Sequence, residues 1–434
     1  ATDAAAFTEA GTAVVLESNL TVADSDHTNL NSVMVQVAEG YVKGEDKLAL
    51  VTDGGAGTVG DGFTAAWDAD TGTLAISGNK TLAEYQAALR TVTYDNENND
   101  NPSTTDRKVE WRLYDGANYS ALKETDVLVS STNDAPTLSG DGDSVQFTEG
   151  TPVIIDNNLV LADVDSANLN GATVKITNYK AGDQLLFTPT AGISITGTAT
   201  GVVDTTVTPN TLTLTLTGAD TVEAYEAALR SIRFNNTGDN PDTTNRTIEW
   251  NVTDVSADST QVQSLASAGT STVTISAVND APVLTGGGNT IQFSEGDAAV
   301  VLDNGIALSD PEGSTVTTVT VQLAGDGVAI TNSEVLDFDA NASTKVTGTL
   351  SNNNRTLTVT NTNNAANSDF QALLRTVKYA NTDTATLDGN RTITFSAVET
   401  VGTDNFTSAN IVTTVSVAAL NDDAPVLALS LIHI

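Results

Sequence analysis

Acidic side chains recur at fixed places along this chain and are its clearest candidates for chemistry. Asp24-Ser25-Asp26, Asp163-Val164-Asp165 and Asp310-Pro311-Glu312 form one equivalent set. A second set follows a repeated arginine by eight residues: Asp115 after Arg107, Asp254 after Arg246, Glu399 after Arg391. Isolated surface acids usually only meet water, but acids that keep their places through three segments of one chain point to a shared task. Oxygens in D-x-D spacing on a turn suit a hard cation, and calcium takes about six to eight such oxygens, carbonyls and Asn side chains included. Zinc or copper would want His or Cys. The chain has no Cys and two His, His27 and His433, which also removes disulfides, thiolate chemistry and imidazole catalysis. A glycosidase would gather its two carboxylates in one cleft. These acids recur in three places along the chain and not in one cleft, so no catalytic role is expected.

The elements that must position these acids come from a repeat. A length of 434 residues suggests about three domains. Phe7-Thr8-Glu9-Ala10 recurs as Phe147-Thr148-Glu149-Gly150 and Phe293-Ser294-Glu295-Gly296. Ala87-Ala88-Leu89-Arg90 recurs as Ala227-Ala228-Leu229-Arg230 and Ala372-Leu373-Leu374-Arg375. Asn133-Asp134-Ala135-Pro136 recurs as Asn279-Asp280-Ala281-Pro282, with a near copy at Asn421-Asp422-Asp423-Ala424-Pro425. A module of about 140 residues is therefore present three times, joined by N-D-A-P linkers. The expected domains are 1–134, 135–280 and 281–423, with 424–434 a tail or the truncated start of a further repeat.

Within each copy the patterning is mostly β. Thr211-Leu212-Thr213-Leu214-Thr215-Leu216, Thr272-Val273-Thr274-Ile275 and Thr356-Leu357-Thr358-Val359 alternate with period 2, as half-buried strands do. The runs are short and bounded by Gly, Asn and Asp, the spacing of a sandwich. Thr81-Leu82-Ala83-Glu84 reads as a capping box leading into a short helix with Tyr85, Ala88 and Leu89 on one face. Counterparts are expected near Val222–Arg230 and Asp369–Arg375. Trp111, Trp250 and Phe395 are expected to fill the sandwich cores. The fold class is all-β: three tandem Ig-like β-sandwiches, each with a short helical insert.

Charge narrows the partners. Eighteen Lys and Arg against 55 Asp and Glu give a formal net charge of −37. That excludes the basic footprint of a nucleic-acid binder and repels an anionic membrane surface. No apolar run approaches the roughly 18 residues of a membrane-spanning helix. The start, ATDAAAFTEA, lacks the basic and long apolar regions of a secretion signal. Divalent neutralisation would also relieve the self-repulsion of so acidic a chain.

The F-[TS]-E-[GA] opening, the D-x-[DE] turn, the strand ending in Asp115, Asp254 or Glu399, and the N-D-A-P linker together resemble the bacterial cadherin-like tandem repeats of large calcium-dependent surface adhesins of the RTX and biofilm-associated type. The resemblance covers the whole chain, three times. It implies calcium held at the linkers, shared between an early Glu of one repeat, the linker Asn/Asp pair, and the D-x-D and late acid of the next. Carried over, the first linker would use Glu9, Asn133, Asp134, Asp163, Asp165 and Asp254. The second would use Glu149, Asn279, Asp280, Asp310, Glu312 and Glu399. Asp24, Asp26 and Asp115 would serve a junction with a preceding repeat, and Glu295, Asn421, Asp422 and Asp423 one with a following repeat. The third copy departs by using Glu312 and Glu399 and by inserting Pro311.

The resemblance implies a non-catalytic extender on the bacterial cell surface, outside the cell, serving adhesion or biofilm formation as a monomeric calcium-stiffened rod. Its partners would be adjacent repeats of the same chain, with a surface glycan or protein as a further partner. An alternative is a glycan- or protein-binding module, for which Tyr41, Phe63, Trp67 and Tyr119 of copy one are the candidates. A second alternative is an accessory region of a secreted hydrolase. Asp53-Gly54-Gly55-Ala56-Gly57 is expected to be a flexible β-loop, and His27, without counterparts in the other copies, to be exposed and incidental.

Overall fold

The computed structural model describes residues 4–51, 62–254, 263–383 and 388–419. The glycine-rich stretch 53–57 and the tail 424–434 lie outside them. The chain divides into two compact units. The first comprises Ala1–Phe147, Pro152–Asn235 and Asn245–Thr274; the second comprises Thr148–Thr151, Asn236–Thr244 and Ile275–Ile434.

The fold is all-β with three short helices among the described residues. One sheet order appears three times. In copy one the large sheet runs Ala5–Thr8, Lys123–Ser130, Arg107–Tyr114, Asn29–Glu39, Thr73–Thr81, Thr64–Asp68. A three-stranded sheet of Val14–Val15, Val92–Asn96 and Asp46–Leu50 accompanies it. Copies two and three repeat this order, from Ser144–Thr148 and from Thr290–Ser294 respectively. In copies one and three the first strand pairs in parallel with the last, as in Phe7 with Val129 and Phe293 with Val417. Because this pairing is parallel, the last strand of these two copies exits beside the end of the first strand, where Glu9 and Glu295 donate their N–H groups to Ser130 and Ala418.

Copies two and three carry one further strand pair. Thr137–Ser139 lies antiparallel to Val160–Ala162, and Val283–Thr285 to Ala307–Ser309. The cores follow the alternation. Leu212, Leu214 and Leu216 are buried, as are Leu357 and Val359. Trp111, Trp250 and Phe395 are at most 1% exposed, in keeping with a core role. The repeated Phe of the opening motif meets one aromatic edge-on in each copy: Phe7 with Tyr94, Phe147 with Phe234, Phe293 with Tyr379, at centroid distances of 5.7, 5.1 and 5.0 Å. Such pairs contribute about 0.5–1.5 kcal/mol beyond their burial.

The helices are α1 (Leu82–Leu89), α2 (Val222–Arg230) and α3 (Asn367–Leu374). The capping box of α1 forms as the sequence predicts: Thr81 Oγ1 accepts from Glu84 N at 3.3 Å, and the Glu84 carboxylate accepts from Thr81 N at 2.8 Å. Tyr85, Ala88 and Leu89 are its buried face, and Tyr225, Ala228 and Leu229 that of α2.

Candidate metal centres

The first cluster is built around the linker 131–136, wholly within the first unit. Phe7 is locked in the core, and its strand continues two residues further, where Glu9 N donates to the Ser130 carbonyl at 2.9 Å. Alternation then buries Glu9 on the linker side at 5% exposure. Glu9 Oε2 accepts from Thr132 N at 2.6 Å. Asn133 Nδ2 donates to Asp254 Oδ2 at 2.5 Å and to the Asp134 carbonyl at 3.1 Å. Asp254, fully buried at the end of its strand, also accepts from Gln263 N at 2.8 Å through Oδ1. Asp163 Oδ1 closes the D-x-D turn by accepting from Asp165 N at 3.3 Å and Ser166 N at 2.8 Å. Asp165 Oδ2 accepts from Asp134 N at 3.2 Å.

A common pattern runs through these contacts. Glu9, Asp163 and Asp165 each engage backbone N–H groups through one carboxylate oxygen and turn the other into the cluster. Glu9 Oε1, Asp163 Oδ2 and Asp165 Oδ1, together with Asp134 Oδ2, are buried and accept no hydrogen bond from the protein. An unmatched buried polar oxygen costs about 1–3 kcal/mol, more when charged. The acids respond by holding protons more tightly. Burial pushes Asp163 up to about 6, with neighbouring Asp165 adding to the effect. Glu9 is raised by burial and by the charges of Asp134 and Asp165, against the bonds from Thr132. Asp134 is raised by burial, then by Asp165 and Asp100.

These shifts set a pH dependence. A carboxylic acid raised in the folded state favours folding fully below its unfolded value and loses that contribution as pH rises through the folded value. Without divalent ions, the melting temperature of the first unit is therefore expected to carry a component that falls as pH rises from about 4 to about 6–7. Scanning calorimetry in a chelating buffer checks this, and a melting curve that only rises across that window contradicts it.

The second cluster repeats the first, wholly within the second unit. Glu149 Oε2 accepts from Val278 N at 2.8 Å. Asn279 Nδ2 donates to Glu399 Oε2 at 3.3 Å and to the Asp280 carbonyl at 2.8 Å. Glu312 Oε2 accepts from Asp280 N at 3.1 Å, and Asp310 Oδ1 from Ser314 N at 2.9 Å. Asp310 Oδ2 and Glu312 Oε1 are the buried oxygens without a protein donor here. The Asp-to-Glu changes of copy three thus preserve the bonding scheme, since each Glu carboxylate accepts the bond its Asp counterpart takes in the first cluster.

The structure adds an acid that sequence reasoning missed. Asp239 offers a carboxylate oxygen within 4.8 Å of those of Glu149 and Asp280. It belongs to Asp239-Asn240-Pro241, and Asn240 Nδ2 reaches the Pro311 carbonyl at 3.2 Å. In the first cluster Asp100-Asn101-Pro102 does the same, with Asn101 Nδ2 donating to the Val164 carbonyl at 2.8 Å. The repeated D-N-P triplet was the available signal.

Asp24, Asp26 and Asp115 also come together in copy one, but more openly. Asp24 Oδ1 accepts from Asp26 N and His27 N at 3.0 and 2.9 Å, and Asp115 Oδ1 from Ala117 N and Asn118 N at 2.6 and 2.7 Å. These backbone bonds hold both acids below the usual carboxylate range. His27 lies among them rather than apart, its Nδ1 at 3.3 Å from Asp26, 3.7 Å from Asp115 and 3.9 Å from Asp24. The hydrogen bond it donates to the Asp26 carboxylate raises its affinity for a proton, and the charge of Asp115 adds to that. Glu295 is placed like Glu9, buried at 8% exposure with its N–H on the Ala418 carbonyl. Its expected partners Asn421, Asp422 and Asp423 lie outside the described residues. Of the four aromatics of copy one, Phe63 is a core residue at 8% exposure, stacked edge-on against Tyr85. Tyr41 and Trp67 are half-buried against each other, and Tyr119 is 65% exposed.

Fold and clusters together define tandem β-sandwich repeats with buried and half-buried acids gathered at their linkers. No family model matches the chain. A stretch of 123 residues, 27% of the chain, is 29% identical to Halomucin of Haloquadratum walsbyi and spans 1% of that protein. Among solved structures, cadherin domains 3–6 of protocadherin gamma B2 align over 97% of this chain and 73% of that chain, at 14% identity and a TM-score of 0.26. Drosophila N-cadherin EC1-4 aligns over 97% and 74%, at 12% identity and a TM-score of 0.20. These are similarities to extracellular cadherin repeats. The assignment of fold rests on the sheets themselves. No helix among the described residues is long and apolar enough to cross a membrane.

Proposed function

We propose that this chain is a non-catalytic extender of a bacterial surface adhesin, acting in adhesion or biofilm formation, whose linkers are stiffened by calcium. The observation that carries this reading is the set of buried carboxylate oxygens without a protein donor at both linkers. All candidate donors are hard oxygens, with no sulfur or imidazole in either linker set, and that chemistry fits calcium rather than zinc or copper. Glu9, Asp134, Asp163, Asp165 and Asp100 would hold ions at the first linker. Glu149, Asp239, Asp280, Asp310 and Glu312 would hold them at the second, with Asn133–Asp254 and Asn279–Glu399 fixing the linker backbone beside them. Bound calcium would neutralise these acids and join linker and modules through common ligands. The chain's own part is to present the oxygens on a rigid frame: one oxygen of most acids is already anchored to a backbone N–H, so little ordering remains to oppose binding.

Calorimetric titration of calcium tests the reading. The wild-type chain is expected to bind several ions, and an Asp163→Asn, Asp165→Asn variant to lose those of the first linker while keeping those of the second. A wild-type chain that takes up no calcium at about 1 mM, the weak end of extracellular sites, overturns it.

A further inference from the structure

Each helical insert grips the acid turn of its own module from both sides. The arginine that ends the helix donates through Nε to a main-chain carbonyl: Arg90 to Leu20 at 2.8 Å, Arg230 to Leu159 at 2.6 Å, Arg375 to Ile306 at 2.9 Å. In all three copies that carbonyl stands four residues ahead of the first acid of the turn, Asp24, Asp163 or Asp310. The first residue of the helix reaches the carbonyl four residues past the same acid. Leu82 N donates to Thr28 at 3.2 Å and Val222 N to Ala167 at 3.3 Å. In α3 the side chain of Asn367 takes over, with Nδ2 donating to the Ser314 carbonyl at 2.8 Å and Oδ1 accepting from Val316 N at 3.1 Å.

A third contact lies between these two in copies one and two. Gln86 and Glu226, one helical turn before the arginine, accept from the N–H two residues ahead of the acid, Val22 at 3.1 Å and Leu161 at 3.0 Å. Glu226 also pairs with Arg230 at 2.9 Å. The helix is itself fixed by its buried face, Tyr225, Ala228 and Leu229 in α2 and Phe370, Leu373 and Leu374 in α3. A helix keeps its two ends at a set separation, about 1.5 Å per residue. Its grips therefore fix the span of the loop that carries the acids. That loop supplies Asp163 Oδ2 and Asp165 Oδ1 to the first cluster, and Asp310 Oδ2 and Glu312 Oε1 to the second, all buried oxygens without a protein donor.

We propose that the helical insert is a brace for the acid turn, and that Arg230 and Arg375 are positioning residues that set calcium affinity at the first and second linker respectively. The brace rests on the calcium reading for its ligand. Neither arginine is a ligand itself, since a guanidinium only donates. Each acts through a main-chain carbonyl and keeps two carboxylates aimed before an ion arrives. The Leu-Arg pair that closes the repeated helix motif then has two tasks: Leu89, Leu229 and Leu374 fill the cores, and the arginines hold the turns. Charge alone predicts the opposite sign, because removing a cation from so acidic a chain favours a bound calcium.

Hydrogen exchange of the full chain in chelator, and calorimetric titration with calcium, test this on Arg230→Met. Its side chain is 36% exposed, so the change costs the fold little. Residues 159–168 are expected to lose protection while 306–316 keep theirs, and calcium at the first linker to bind about tenfold more weakly while the second linker is unaffected. Arg375→Met is expected to reverse that pattern, and Arg230→Lys, which keeps a donor, to recover most of the affinity. Arg233→Met removes the same charge from an exposed position of copy two and is expected not to weaken calcium. Arg230→Met that exchanges as the wild type does, binds calcium as tightly or more tightly at the first linker, or loses both linkers equally overturns the brace. Exchange is read without calcium, so a wild-type chain that takes up no ion fails the calcium reading, while the brace stands or falls on the exchange alone.

Discussion

Chelating calcium is expected to lower the melting temperature of this chain and to broaden its distribution of end-to-end distances in small-angle scattering. The size follows from linkage. A site held tenfold above its dissociation constant stabilises the bound form by about 1.4 kcal/mol. For modules of this size that is roughly 3–6 °C per ion. More than one ion per linker multiplies the shift, because the orphaned oxygens at each linker come from several acids rather than one. The direction is fixed by the metal-free cluster, where burial and mutual repulsion already drive Asp163, Glu9 and Asp134 toward their protonated forms. Magnesium is expected to substitute poorly. It demands near-octahedral geometry and retains waters, whereas these acids are pinned by Thr132 N, Asp134 N, Ser166 N and Val278 N. Scattering and melting curves that do not change between chelator and millimolar calcium would sink the stiffening mechanism, even if calcium bound.

Much of this was legible because the chain writes its design three times. The Phe-x-Glu opening is readable as structure once alternation is applied: Phe7 and Glu9 share a face, one seated in the core and the other at its rim. The capping box of α1 is local, so Thr81 and Glu84 announce it within four residues. The D-x-D turn is equally local, closed by its own backbone N–H groups. Asp100 and Asp239 were missed for a different reason. They come from loops far in sequence from the acids they join, and copy three has no D-N-P triplet at the matching place to complete the pattern. The partners of the repeated arginines were illegible too. Arg107, Arg246 and Arg391 serve in the sequence only as a ruler for the acid eight residues on. Their carboxylates, Asp46, Asp183 and Glu334, stand 61, 63 and 57 residues away. One of the three is Glu rather than Asp, so neither spacing nor residue type marks the set.

Those arginines carry the largest expected effect of a single substitution. Arg246 and Asp183 are both inaccessible to solvent, with Nε to Oδ2 at 2.6 Å and Nη2 to Oδ1 at 3.2 Å. The pair joins the strand Arg246–Asp254 of the large sheet to Asp183–Leu186 of the small one, and so acts across the sandwich. Arg246→Met is expected to destabilise copy two by about 3–5 kcal/mol, because it strands a buried carboxylate. Asp183→Leu added to Arg246→Met is expected to recover part of that loss, since an apolar pair of similar volume carries no desolvation penalty, while Lys180 N loses the Asp183 oxygen it meets at 2.8 Å. Copy two is the place to measure it. Phe234 stands there where Tyr94 and Tyr379 hydrogen-bond the acids of copies one and three, so removing both charges leaves no tyrosine hydroxyl behind. Trp250, four residues along the same strand, reports unfolding of this copy in a denaturant titration by its fluorescence. A double variant as unstable as Arg246→Met alone would mean that the arginine holds the sheets together by packing its stem and not by neutralising Asp183. The same cycle in copy three, Arg391→Met with Glu334→Leu, should recover less, because Tyr379 Oη would lose the Glu334 oxygen it meets at 2.7 Å.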